Sequence, residues 1–209
     1  MSISPSKEAI LKKIRKALTE STPLPFVQSE GAQSFFQPSQ KELEVQFAES
    51  FTQLQGKFAF CLNSAELAQQ LEQLFTTRNW NNIFCSEPSL REMLAKAGVS
   101  IAYTNDLANC DASITGCAQL VARTGSIVLS SAAQSGRTAS VYAPIHICIA
   151  FTHQLVYDLR DALQHLRANP MPSFVSFASG PSRTADIEKT LVTGVHGPKE
   201  VYCFLVDQP

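Results

Sequence analysis

The stretch KFAFCLNSAELAQQLEQLFTTRNWNNIFCS, residues 57–86, decides the fold. It predicts a strand, a helix that Ser64 can cap, and a second strand, and the residues after it predict another helix and strand. Consecutive strands joined by helices pair in parallel, so this order predicts an α/β protein with a helix-covered parallel sheet. The predicted elements are strand 57–62, helix 64–75, strand 82–86, helix 89–98 and strand 100–104.

The pattern changes after Asp111, where short apolar segments lie close together with turn residues between them. Such spacing is typical of strands in hairpins or a meander. Leucines on one side of residues 154–166 predict one more helix in this half. The predicted strands here are ASITG (112–116), AQLVA (118–122), SIVLS (126–130), IHICIAF (145–151), SFVSFAS (173–179) and VYCFLVD (201–207).

The N-terminal residues predict a separate extension. A helix starts near Pro5, with apolar residues on one face and lysines on the other. Residues 20–37 contain prolines, a glycine and serines with little periodicity, which indicates a linker. A second helix is predicted over 39–55. We therefore expect an N-terminal helix and linker over 1–37 and an α/β domain over 38–209.

The composition limits the classes of function. The net charge is −1, which gives no reason to expect a nucleic-acid partner. None of the six cysteines forms a C-x-x-C pair, so we expect neither a metal site nor an iron–sulfur cluster held by this chain. A secretory signal and an apolar run of about 18 residues are both missing. These features predict a cytoplasmic protein with reduced thiols and no membrane span.

The stretch GPSRTADIEKTLVTGVHGP, residues 180–198, is the first candidate site. We expect a helix over 185–193 with Thr184 as its N-cap, placed after an apolar strand. A helix N-terminus there could bind an anion, and Ser182 and Arg183 would add a hydroxyl and a guanidinium. Ordinary capping and turn closure explain the same glycines and hydroxyls equally well.

Two further segments offer polar groups in flexible surroundings. His196 lies between glycines and could act as a general base or as a structural hydrogen bonder in a turn. The small, polar segment 130–140 contains Arg137, which could bind a ligand or belong to a flexible hairpin loop. His146 and Cys148 share one face of a strand, and a buried structural histidine is favoured over a metal site.

The motifs of common enzyme classes are absent. The sequence has no G-x-S-x-G elbow, no Walker A loop and no G-x-G-x-x-G fingerprint. Their absence argues against the common hydrolases, nucleoside triphosphatases and dinucleotide-binding enzymes.

Four short motifs together resemble the lactate-utilization protein C family, the LUD-domain proteins. They are T-G-S-I-V-L (124–129), P-x-H (144–146), S-R-T-A-D-I-E (182–188) and G-V-H-G-P (194–198). The resemblance is strongest over 111–207, and the N-terminal half agrees only in layout. It implies a three-layer α/β sandwich with a mainly parallel sheet, related to the CoA-transferase and sugar-phosphate-isomerase superfamily.

The resemblance also implies a function. The chain would be a non-redox subunit of a complex that oxidises L-lactate to pyruvate, with iron–sulfur clusters in two partner proteins and no cofactor of its own. The candidate catalytic residues are His196 and Glu188. The candidate substrate-binding residues are Ser182, Arg183, Thr184, Arg137, Thr124 and Gly125.

Two other classes of function stay open. The first is a stand-alone enzyme on a small molecule, similar to a sugar-phosphate isomerase or a folate cyclo-ligase, with Asp186, Glu188 and His196 as acid–base groups. The second is a scaffold or regulator that docks through the basic helix near the N-terminus.

Overall fold

The fold is described from a computed structural model, which describes residues 5–19, 41–133, 135–167, 172–187 and 190–208. Contacts divide the chain into a unit of residues 1–37 and a unit of residues 38–209. In the first unit the predicted helix is present from Pro5, whose fixed φ suits the first helical position. The predicted linker lies outside the described residues.

The elements follow the sequence in a regular order. The helices are α1 Pro5–Thr19, α2 Leu43–Gln53, α3 Ser64–Arg78, α4 Pro88–Lys96, α5 Ala139–Tyr142 and α6 Leu159–Arg167. The strands are β1 Lys57–Asn63, β2 Ile83–Phe84, β3 Tyr103–Thr104, β4 Ala112–Thr115, β5 Gln119–Val121, β6 Ser126–Ser130, β7 Ile145–Phe151, β8 Leu155–Val156, β9 Val175–Ala178, β10 Arg183–Ile187, β11 Thr190–Thr193 and β12 Glu200–Gln208.

The centre of the second unit is a six-stranded sheet in the order β1, β12, β7, β4, β2, β3. Every pairing in it is parallel. The register places Cys148 of β7 beside Cys203 of β12 and Thr115 of β4. This sheet confirms the prediction made from the alternating strands and helices of residues 57–104.

Helices cover both faces of the parallel sheet. On one face, α3 and α4 bury Leu67, Leu71 and Leu94 against β-strand side chains such as Ile147. On the other face, α2 packs Phe47 and Phe51, whose rings stack 5.4 Å apart, against the sheet. Because both faces are buried, the central strands are apolar on both sides, as expected for a parallel sheet.

A second sheet, β8-β5-β6-β9, lies beside α2 on the same face. Leu120 and Ile127 point from it toward the parallel sheet, and Val121 and Val128 point away toward α6. The sheet is mostly antiparallel, with β8 joined to β5 in parallel. The predicted short strands after Asp111 are therefore divided between two sheets.

The structure corrects the predictions for helices α6 and α3. Residues 154–166 do not form one helix, because Leu155 and Val156 pair with β5 and the helix begins only after Asp158. The Asp158 carboxylate accepts a hydrogen bond from the Leu159 amide and binds Arg123 at 2.8 Å. The cap of α3 is Asn63 rather than Ser64, since the Asn63 side chain accepts the Glu66 amide hydrogen bond.

Candidate functional site

Two of the sequence motifs, P-x-H (144–146) and G-V-H-G-P (194–198), meet at the amino-terminal ends of β7 and β12. These strands are neighbours, and the segments that lead into them are joined by a hydrogen bond from the Lys199 amide to the Pro144 carbonyl at 2.8 Å. Between the segments lies a cleft of 430 Å³ lined by residues 141–144, 194–197 and Lys199. We call this space the motif cleft, and its volume is in the range of small-molecule sites.

The segment before the cleft is a β-hairpin, so the predicted helix over 185–193 is wrong. Strand β10 pairs antiparallel with β11, with Arg183 opposite Thr193 and Thr184 opposite Val192. The residues Thr, Ile and Val in this segment are β-branched, and their stiff side chains favour an extended backbone over a helix. Thr184 therefore caps no helix, and the argument for an anion at a helix N-terminus no longer applies.

The base of this hairpin is closed by backbone hydrogen bonds of Ser182. Its amide donates to the Pro198 carbonyl at 2.9 Å, and its carbonyl accepts from the Gly194 amide at 2.9 Å. A Cβ added at Gly197 would lie 2.9 Å from the Ser182 Cβ. The S-R-T and G-V-H-G-P motifs are thus brought together by close backbone packing, which explains much of their glycine content.

The polar groups of the motif cleft come from His196, Lys199 and Tyr142. All three side chains are exposed at its rim. An ammonium, an imidazole and a phenol can together bind a small carboxylate and exchange a proton with a neighbouring hydroxyl group. Sequence reasoning found His196 but missed Lys199 and Tyr142, although Lys199 directly follows the G-V-H-G-P motif.

The comparison with known protein families decides to which family the chain belongs. The model of a family described as the LUD domain matches residues 45–206. The chain belongs to the LUD domain family.

Individual relatives match this LUD-domain chain over a shorter stretch. An uncharacterized protein of Neisseria meningitidis serogroup B is 38% identical over 47% of this chain and 43% of its own length. Proteins named lactate utilization protein C from Deinococcus radiodurans and Bacillus subtilis are 36% and 35% identical. They match 48% and 42% of this chain and 49% and 39% of their own lengths. The chain thus spans about half the length, or less, of these relatives.

A solved structure shares the fold. The crystal structure of a DUF162 family protein from Deinococcus radiodurans superposes with a TM-score of 0.59. The two proteins are 22% identical in sequence. The superposition covers 80% of this chain and 98% of the Deinococcus chain. The likeness supports the α/β architecture described above.

In this LUD-domain chain, three other predicted site residues, Arg137, Thr124 and Gly125, do not line the motif cleft. The Arg137 guanidinium donates a hydrogen bond to the Ser173 hydroxyl at 2.6 Å and lies 5.8 Å from the centre of the Phe174 ring. Thr124 bonds to Ser126 at 2.8 Å, beside Gly125 in the turn between β5 and β6. These contacts tie Arg137 to the residues just before β9 and stabilise the turn between β5 and β6.

The remaining predicted site residues lie beside the motif cleft or outside the residues that the structure describes. Arg183 is exposed and lies opposite Thr193, one residue before the cleft-lining Gly194. The side chain of Ser182 is half-buried. Glu188, the second predicted catalytic residue, is outside the described residues. The structure therefore brings Ser182, Arg183 and His196 to one region.

His146 is buried beneath the entrance to β7. It is 1% exposed, and its Nε2 lies 2.8 Å from the Thr115 hydroxyl oxygen. Burial lowers the pKa of His146 to about 4, so the ring is neutral near pH 7. Within the described part of the chain its Nδ1 has no hydrogen-bond partner. The favoured interpretation, a buried structural histidine, agrees with this geometry.

Two cysteines of the parallel sheet, Cys148 on β7 and Cys61 on β1, are buried, and Cys117 just after β4 is half-buried. A hydrogen bond with Cys148 and burial both raise the pKa of the Cys117 thiol, and burial raises the pKa of Cys61 to about 11. Neutral thiols are poor nucleophiles and poor metal ligands near pH 7.

In the ranges that the structure describes, no group of three or more His, Cys, Asp or Glu side chains is arranged to hold a metal ion. Among those same residues, none of the helices is both long and apolar enough to cross a membrane.

Proposed function

We propose that this LUD-domain chain acts in lactate utilization as a subunit that binds a small hydroxy-carboxylate and carries no redox centre of its own. The observation that supports this most is the similarity to proteins named lactate utilization protein C, at 35–37% identity over a little less than half of the chain. We assign the site to the motif cleft, because the motifs 144–146 and 194–198, which carried the resemblance, line or adjoin it.

The charge at the motif cleft fits a carboxylate better than an uncharged substrate. The Lys199 ammonium can form a charge-assisted hydrogen bond to a carboxylate, and Arg183 pairs on the hairpin with Thr193, the residue before the cleft-lining Gly194. His196 can accept the proton of a hydroxyl group on the adjacent carbon. These residues would bind and orient L-lactate at the protein surface, where a partner can reach it.

The oxidation itself belongs to the partners in this proposal. Conversion of lactate to pyruvate releases two electrons and two protons, one proton from the hydroxyl group and one from the carbon that bears it. Iron–sulfur clusters in two partner proteins would accept the electrons, and a base of a partner would take the proton from the carbon. The role of this chain is to hold the carboxylate and take the hydroxyl proton. The expectation of two such partners comes from the resemblance of the four motifs described above.

Replacing the cleft cation tests the site. We expect Lys199→Ala to lower the apparent affinity for L-lactate about tenfold or more, the usual cost of losing a charge-assisted hydrogen bond. The measurement is lactate-dependent growth and lactate oxidation in cells whose own copy of the gene is replaced by the variant. His196→Ala should reduce the oxidation rate in the same assay.

The matched control is Lys96→Ala, which removes an equally charged, exposed side chain that pairs with Glu92 on α4. This control should oxidise lactate like the unaltered protein. Circular dichroism checks that each variant is folded. Unchanged oxidation by the double variant Lys199→Ala/His196→Ala would reject the motif cleft as the lactate site.

A pull-down tests the partners separately. The tagged chain, isolated without oxygen from lactate-grown cells, should bring down two iron-containing proteins and lactate-oxidising activity. Recovery of the chain alone, without iron, would contradict the complex and favour a stand-alone enzyme.

A further inference from the structure

Helix α1 concentrates positive charge in a chain that is otherwise acidic. Its five basic side chains and one acidic side chain give it a net charge of +4, whereas the whole chain has a net charge of −1. The other residues together therefore carry −5. A short helix with this charge points to a negatively charged partner. The charged residues of α1 are Lys7, Glu8, Lys12, Lys13, Arg15 and Lys16.

The apolar side of α1 is exposed as well. Ile10 and Ile14 are four residues apart and therefore lie on one face of the helix, where they are 57% and 49% exposed. The corresponding pair on α3, Leu67 and Leu71, is 0% exposed. Exposed charges alone are typical of a solvated helix. An exposed apolar pair on the same helix is typical of one that binds a surface.

Basic residues border the apolar face of α1 on both sides. Successive residues of an α-helix are about 100° apart around its axis, so Lys13 and Arg15 lie to either side of Ile14. Lys12 and Lys16 lie near the opposite side of the helix by the same geometry, and all four basic side chains are exposed. Long basic side chains in the bordering positions can reach lipid phosphates while the apolar face enters the acyl chains.

An anionic lipid bilayer fits this arrangement better than a nucleic acid or a protein groove. A nucleic acid would bind the positive charge but offers no apolar interior for Ile10 and Ile14. A protein groove would need an apolar floor and acidic groups at matching positions on both rims. A bilayer surface supplies an apolar interior and anionic headgroups in every direction, so it requires no matching shape. The helix is about 22 Å long, which suits a helix that lies in the surface.

We propose that α1 is a peripheral membrane anchor, which lies in the surface of an anionic lipid bilayer. Ile10 and Ile14 insert between the lipids, and the basic residues bind the headgroup phosphates. The proposal is independent of the lactate assignment, because α1 contributes no residue to the motif cleft.

Flotation of the full chain with lipid vesicles tests the proposal. The vesicles contain either phosphatidylcholine alone or equal parts of phosphatidylcholine and phosphatidylglycerol. In about 0.1 M salt we expect the chain to float with the anionic vesicles and to bind the neutral vesicles about tenfold more weakly or less. Binding to the anionic vesicles should weaken in about 1 M salt, because the Debye length falls from about 10 Å to about 3 Å.

Two double variants of α1 test its charge and its apolar face separately. Lys13→Glu/Arg15→Glu reverses the bordering charges, and Ile10→Ser/Ile14→Ser removes the apolar pair without any change of charge. Each should weaken binding to the anionic vesicles about tenfold or more. All four positions are exposed, so circular dichroism should show an unaltered fold.

Matched controls alter exposed residues elsewhere in the chain. Lys96→Glu/Arg160→Glu makes the same change of net charge on α4 and α6, and Val45→Ser/Leu62→Ser removes two apolar side chains that are 46% and 62% exposed. Both controls should float like the unaltered chain. Unchanged flotation of either α1 double variant would overturn the proposal. Failure of the unaltered chain to float with anionic vesicles would also overturn it, and would leave an acidic protein as the partner of α1.

Discussion

We expect Gly125→Val to prevent this domain from folding stably. Gly125 has φ +57°, a conformation that is a true outlier for a β-branched residue. A Cβ at this position would lie 2.5 Å from the Phe51 amide nitrogen and 2.6 Å from the Ser50 carbonyl carbon. Both neighbours are backbone atoms of α2, which cannot move without displacing the helix from the core. The two effects should together cost more than about 4 kcal/mol, a large share of the stability of a typical domain.

Gly98→Ala is the matched control for this prediction. Gly98 also has positive φ, at +93°, but a Cβ there would meet nothing within 4 Å. It should therefore show the backbone strain alone, about 1–2 kcal/mol. Urea unfolding followed by circular dichroism measures both variants, with Gly125→Ala as a milder form of the change. Equal losses of unfolding free energy in Gly125→Ala and Gly98→Ala would show that the close contact of Gly125 with α2 does not contribute to stability.

The result would bear on how the T-G-S-I-V-L motif is interpreted. Gly125 is a predicted substrate-binding residue, yet its close contact with α2 already accounts for a glycine. Gly180 behaves similarly, because a Cβ there would collide with the Leu54 carbonyl oxygen just after α2. Both glycines let a turn lie directly on the end of α2. Packing explains these positions without a ligand.

The parallel sheet could be predicted because its signals are local. Strand β1, helix α3 and strand β2 each carry their own pattern, and their order alone implies parallel pairing. The second sheet could not be assigned in the same way. Residues 155–156 look helical next to α6, but they pair with β5, about 35 residues earlier in the chain. That pairing is a tertiary contact, which overrides the local preference.

The motif cleft was predictable only in part. His196, Arg183 and Ser182 stand out in the sequence, and the structure brings them into one region. The hairpin over 183–193 has capping-like residues at its start, so the local pattern suggested a helix. Tyr142 and Pro144 reach the cleft because β7 and β12 are adjacent strands. Their sequence separation from residues 194–199 gives no sign of that contact.

The buried His146 should make the free energy of unfolding depend on pH. Its pKa is about 4 in the folded protein and near 6.5 when unfolded, because burial disfavours the charged ring. Between these values the unfolded chain binds a proton that the folded chain does not. Stability is therefore full above about pH 6.5 and falls as the pH drops toward 4, by about 1.4 kcal/mol per pH unit.

Between pH 7 and pH 5 this one group should cost about 2 kcal/mol, which His146→Leu should largely remove. Thr115 keeps its hydrogen bond to the Gly116 carbonyl at 2.9 Å in that variant, so no hydroxyl is left unpaired. The exposed His153 provides the control, since His153→Gln should keep the pH dependence of the unaltered protein. Urea unfolding at both pH values measures all three proteins. If the unaltered chain and His146→Leu lost the same free energy of unfolding between pH 7 and pH 5, the ring would already be charged in the folded protein. A charged ring in this sheet would need a buried counter-charge, whereas the hydrogen-bond partner found at its Nε2 is the neutral hydroxyl of Thr115.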